Sequence, residues 1–145
     1  MLKLRKAFIL MLMLFMPLGI FAQQDNIIGT YYAKLSRNDA KVKAFKYKDG
    51  YRLQICWLKN TKNADGSTKT DQKNPDATKR STPMDRVVLV DKVTYKDGIW
   101  QGGRVYDPTS GKTYKVELRL KTAKQLEVKG ILGIFHKCMY WDKIE

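Results

Sequence analysis

A two-residue rhythm constrains this chain more than any other feature. Over residues 114–121 it reads YKVELRLK, with Tyr114, Val116, Leu118 and Leu120 on one side and Lys115, Glu117, Arg119 and Lys121 on the other. Successive side chains of an extended backbone point to opposite faces, whereas a helix needs apolar residues every three or four positions. Such a segment fits a strand with one face buried and the other wet. YRLQICW repeats the pattern with Tyr51, Leu53, Ile55 and Trp57 on its apolar face, and Leu126 and Val128 alternate with Glu127 and Lys129. No window after residue 23 sustains helical spacing; a short turn near Asp25-Asn26-Ile27 is the most the sequence allows.

Turn signals separate these runs. YKDG occurs at Tyr47–Gly50 and again at Tyr95–Gly98. Asp-Gly between alternating runs predicts a tight hairpin, because the turn needs positive φ angles that glycine tolerates. About eight strands are expected, starting near Gly29, Ala40, Tyr51, Arg86, Ile99, Lys112, Gln125 and Ile134. Their short connections predict an all-β, antiparallel up-and-down barrel, with a two-sheet sandwich as the second choice. Gly102 and Gly103 point to a bulge or a close backbone approach beside Trp100. One connection breaks the rule: residues 59–85 are polar throughout, and loops of that length are often functional or mobile.

Within YDPTSGKTY (Tyr106–Tyr114), Gly111-Lys112-Thr113 spells the end of a phosphate-binding loop. That motif needs a glycine where Tyr106 stands, and a helix where the alternating strand begins. Asp107-Pro108 and Gly111 instead predict a turn between two strands.

The N-terminus has a different character. Lys3, Arg5 and Lys6 precede an apolar run, Ala7–Phe21, then Ala22 and the polar pair Gln23-Gln24. This is the layout of a secretory leader, 1–22, cleaved after Ala22, and position 23 is not the cysteine a lipidated precursor needs. The remaining residues, 23–145, form one domain without a transmembrane segment, exported to the periplasm or secreted. Three of the 28 Lys and Arg residues leave with the leader and none of the 14 acids do, so the mature charge is +11. The lysines are scattered singly along strands, which argues for a solvated outer face rather than a nucleic-acid site. Weak contact with an anionic envelope surface stays open, as does a Cys56–Cys138 disulfide.

DQKNPDATKRSTPM (Asp71–Met84), WQGGRVYDPTSGKTYKVELRL (Trp100–Leu120), LEVKGILG (Leu126–Gly133) and Trp141 occur in that order. Together they resemble the bacterial exported family called domain of unknown function 2147, across nearly the whole mature chain. The resemblance implies a compact barrel of lipocalin-like outline in the cell envelope and no activity. Tyr31, in IIGTYY, stands where relatives tend to carry tryptophan, and a tyrosine can still plug a barrel floor.

Catalytic sets are sparse. His136, the single histidine, lies two residues from Cys138 on one strand face, without the further ligands a metal would need. Asp71, Asn74 and Asp76 echo a calcium loop but lack its central glycine and closing glutamate, and such residues around Pro75 more often form turns. No metal or cofactor is expected, and no enzyme. Arg80 is placed against a carboxylate, pinning the long loop over the Asp107 hairpin, with Asp71, Asn74, Pro75, Asp76, Gly103, Asp107, Gly111, Lys112 and Gly130 as loop-anchoring or motif positions. Tyr31, Tyr51, Trp57, Trp100, Tyr106, Tyr114 and Trp141 are the candidate lining of a cavity. The expected function is a binding barrel for a small apolar or amphipathic molecule. The alternative is a basic interaction protein that meets an anionic envelope surface or a protein partner through its lysine-rich outer face.

Overall fold

The structure, a computed structural model, describes residues 23–145, so the leader and cleavage site expected from the sequence lie outside the described residues. Its strands are β1 (Gly29–Leu35), β2 (Asn38–Tyr47), β3 (Gly50–Leu58), β4 (Val88–Lys96), β5 (Ile99–Gln101), β6 (Arg104–Asp107), β7 (Lys112–Thr122), β8 (Gln125–Leu132) and β9 (Phe135–Lys143). Every pairing is antiparallel, and β1 meets β9 through Tyr31↔Lys143 and Tyr32↔Asp142 to close the sheet. Strands β5 and β6 are two parts of one wall strand. Both pair with β4 in a continuous register, while against β7 the register slips by one residue between Trp100↔Leu118 and Arg104↔Lys115. The break is at Gly102-Gly103: Gly102 has φ +87, and a Cβ on Gly103 would strike the Asp91 carbonyl. The wall is therefore an eight-stranded up-and-down barrel.

Inward positions fill the barrel. Leu53, Val90, Leu118, Leu126 and Val128 are fully buried, each adding about 1.5–3 kcal/mol to stability. The small set on β2, Ala40, Val42 and Ala44, leaves room for the rings opposite.

Two inward assignments need correction. Tyr106 alternates with inward Val105 and lies on the outer face beside Arg104. Trp57 stands outside the barrel, 40 % exposed, with Lys41 Nζ 5.4 Å from its ring centre. Ala40↔Leu58 and Lys41↔Trp57 are succeeded by Val42↔Ile55, so Cys56 is an extra residue. A bulge of one residue reverses the inside–outside parity of the strand beyond it, and Leu58 turns inward in place of Trp57.

The two YKDG copies also fold differently. In the second, Asp97 and Gly98 are the two loop residues, with φ +54 and +83. In the first, the loop is Lys48-Asp49, Lys48 takes the positive φ, and Gly50 is already in β3. Gly50 is needed for proximity instead: a Cβ there would run into the Val93 carbonyl across the β3–β4 ladder.

Candidate functional site

Residues 23–28 stopper one end of the barrel. A 3-10 turn at Asp25–Ile27 lies across it, and three rings named as candidate cavity lining hold that turn in place. Tyr31 Oη donates to the Ile27 carbonyl (2.7 Å), Trp100 Nε1 donates to the Gln24 carbonyl (3.0 Å), and Tyr51 Oη donates to the Asp25 carboxylate. Burial pushes the Tyr31 phenol up to about 12, and burial followed by the Asp25 hydrogen bond raises Tyr51 as well. Three of the seven candidate lining rings therefore spend their polar atoms on the plug. Trp141 is different: it is 1 % exposed and its indole N–H is buried without an acceptor.

The opposite end carries the long connection, residues 59–87, here termed the strap. It is an ordered element. Asn38 and Asn60 exchange side chain–backbone hydrogen bonds at its start. The bridges Lys62↔Thr68 and Thr70↔Pro83, with 3-10 turns at Ala77–Lys79 and Met84–Arg86, shape its middle and end.

The strap is clasped to the β6–β7 hairpin. Asp71, 2 % exposed, accepts from Tyr106 Oη (2.6 Å) and from Asn74 Nδ2 (2.8 Å). Lys73 Nζ donates to the Thr109 carbonyl (2.8 Å). Gly111, at φ +74, lies so close to the Lys73 carbonyl that any Cβ would collide with it. Burial, then the Asp71 hydrogen bond, raises the Tyr106 phenol above its ordinary value. Arg80 does not pair with a carboxylate; its Nε donates to the Asn74 carbonyl (2.8 Å) from an exposed position. The available carboxylates point elsewhere, because Asp71 faces Tyr106 and Asp76 caps Thr78.

Asp107 builds its own turn. Its carboxylate accepts from Thr109 N (2.9 Å) and Ser110 Oγ (2.9 Å), and its carbonyl from Gly111 N (2.8 Å). Partial burial disfavours the charged Asp107, but these hydrogen bonds outweigh it and hold the group below the ordinary carboxylate range. YDPTSGKTY is thus a hairpin. In the calcium-like triplet, Asn74 Oδ1 accepts from Asp76 N (2.9 Å), Asp76 Oδ1 from Thr78 N (3.0 Å), and Asp71 from Tyr106 Oη and Asn74 Nδ2. Among the described residues no three His, Cys, Asp or Glu side chains gather as a metal site.

Between the strap and the outer face of β3, β4 and β6 lies a crevice of about 540 Å³. Val87, Val88, Leu89 and Tyr106 supply its apolar part; Arg52, Lys79, Arg86 and Arg104 are its cations, and Asp71, Asp76 and Asp91 its carboxylates. Arg52 is already paired with Asp91 (3.0 Å) and stacked 3.6 Å from the Tyr47 ring centre. Among the described residues no carboxylate lies within ion-pair distance of Lys79, Arg86 or Arg104. The sequence reading missed this crevice, since its cations come from separate segments and alternate with apolar residues like any outward-facing side chain.

The remaining candidates sit apart. Tyr114 is half-buried against the core, Lys112 is exposed at the start of β7, and a Cβ on Gly130 would meet only ordinary contacts. Cys56 and Cys138 are both free thiols, on β3 and β9, with β2 and β1 between them. His136 pairs with Ile131 at an exposed position of β9, with β8 and β7 between it and β6.

A closed eight-stranded antiparallel wall with a plugged floor defines a lipocalin-like barrel. Residues 29–143 match the family described as "Uncharacterized protein conserved in bacteria (DUF2147)", and the chain belongs to that family. It is similar to a solved structure from the human pathogen Helicobacter pylori, described as belonging to the lipocalin family. That likeness has 23 % identity and a TM-score of 0.66, covering 82 % of this chain and 83 % of the other, and it speaks for the fold alone. No curated protein matches the chain.

Proposed function

We propose that this protein is an exported, non-enzymatic binding module of the cell envelope, acting in the periplasm or after secretion. Its guest is a small amphipathic molecule with an anionic group. The supporting observation is the crevice under the strap: its volume lies in the range of small-molecule sites, and apolar surface meets four cations against three carboxylates, with Lys79, Arg86 and Arg104 in no close ion pair. An acyl or aryl body would lie on Val87, Leu89 and Tyr106 while its carboxylate or phosphate faces Arg104 and Arg86. Guanidinium groups suit such anions because their paired N–H donors match two oxygens at once.

A second seat is favoured by one observation, the unpartnered Trp141 N–H inside the barrel. A guest on the barrel axis would accept from it, with the inward side chains that fill the barrel displaced to admit it. Calorimetric titration with dodecanoate and dodecanol separates the seats. Binding under the strap predicts that Arg104→Ala weakens dodecanoate by about tenfold or more, the equivalent of one lost charge-assisted hydrogen bond, and leaves Trp141→Phe unaffected. The axial seat predicts the reverse. Failure of both ligands to bind, with no small molecule retained in native mass spectrometry of protein from its own envelope, overturns the reading.

A further inference from the structure

The plug and the strap leave one feature unused, the tip of the β8–β9 hairpin. Leu132, Ile134 and Phe135 are 62 %, 90 % and 73 % exposed, three large apolar side chains around the Gly133 turn. Nothing else among the described residues covers them. The β7–β8 ladder ends at Lys115↔Ile131, and β9 pairs with β1 only at Tyr31 and Tyr32, far down the strand. The finger therefore stands above its neighbours at the end of the barrel opposite the plug.

The charge around it is predominantly positive. Between Val128 and Trp141 there is no acid, while Lys129 and Lys137 lie on the hairpin itself. Lys115 and Lys112 on β7, and Lys34 and Arg37 at the β1–β2 turn, are exposed at the same end. Two acids lie at this end, Asp39 and Asp107, both hydrogen-bonded to neutral donors that leave their charge in place, so the six cations outnumber them three to one.

We infer that this hairpin tip is a membrane-docking finger that inserts Leu132, Ile134 and Phe135 into the interface of an anionic lipid bilayer. Its shape favours a bilayer over a protein. A narrow convex tip buries little area on a rigid surface, but it can sink into fluid lipid while the lysines below stay among the phosphates. Apolar insertion and attraction of each nearby lysine to anionic headgroups then add. The site is separate from the crevice on β3, β4 and β6, so either reading can fail alone.

The test is co-sedimentation of the chain from Gln23 onward, which contains the plug and every strand, with phosphatidylethanolamine vesicles that contain or lack phosphatidylglycerol. Binding is expected only with phosphatidylglycerol, and Ile134→Asp with Phe135→Asp should weaken it at least tenfold. Lys137→Glu should weaken it severalfold, and Lys46→Glu with Lys96→Glu, at the plugged end, should leave it unchanged. All these side chains are exposed, so melting curves should match the parent protein. The inference is overturned if no vesicles bind, if the apolar double variant binds undiminished, or if the plugged-end variants weaken binding as much as Lys137→Glu. It is also overturned if size-exclusion chromatography shows a dimer that Phe135→Asp dissociates, since a second copy would then be the occupant.

Discussion

Tyr106→Phe removes a single oxygen, and with it the 2.6 Å hydrogen bond that ties the strap to the barrel wall. The acceptor, Asp71, is 2 % exposed and keeps only Asn74 Nδ2 as a side-chain donor afterwards. A hydrogen bond to a charged group contributes about 1.5–3 kcal/mol, and a buried acceptor stripped of its donor belongs in the upper half of that range. For a chain the size of residues 23–145, each kcal/mol shifts the melting midpoint by about 3–6 °C, so a drop of about 7–18 °C is expected. Thermal unfolding by circular dichroism measures it. Limited trypsin digestion at Lys73, Lys79 and Arg80 shows whether the strap alone comes loose, in which case cleavage accelerates while the melting change shrinks. Arg80→Ala is the contrast: it deletes one exposed hydrogen bond to a carbonyl and should cost no more than about 1 kcal/mol. A Tyr106→Phe protein that melts with the parent and resists trypsin equally would refute the clasp.

Tyr31, Tyr51 and Tyr106 have raised folded-state pKa values, so the stability they contribute is intact below about pH 10 and drains as pH rises through the folded values. A spectrophotometric titration should show these phenols ionising only as the barrel unfolds; all eight tyrosines titrating together near pH 10, with the circular dichroism still native, would contradict it. Trp57→Thr should destabilise by less than about 1 kcal/mol, because an exposed ring over Lys41 contributes little, whereas Trp100→Ala should cost about 3–5 kcal/mol. Equal losses in urea unfolding would put Trp57 back inside the barrel.

The rhythm of the sequence was enough for the wall. Alternation at Tyr114–Lys121 and its equivalents requires half-buried strands, short turns require antiparallel neighbours, and all eight wall strands begin within two residues of their expected starts. Local chemistry also decided the YDPTSGKTY hairpin, since Asp107 closes its turn with its own neighbours.

Tertiary contact decided the rest. Trp57 left the interior because one extra residue, Cys56, is accommodated only in the pairing with β2, which no single strand can reveal. Identical YKDG segments took different loops because Gly50 must let β4 pass at close range, while Gly98 faces open space. The partner of Tyr106 lies 35 residues away, and the crevice forms only when the strap returns across β3, β4 and β6. Periodicity reports which face of a strand is apolar; which distant segment covers that face depends on packing between elements, and that is fixed only in three dimensions.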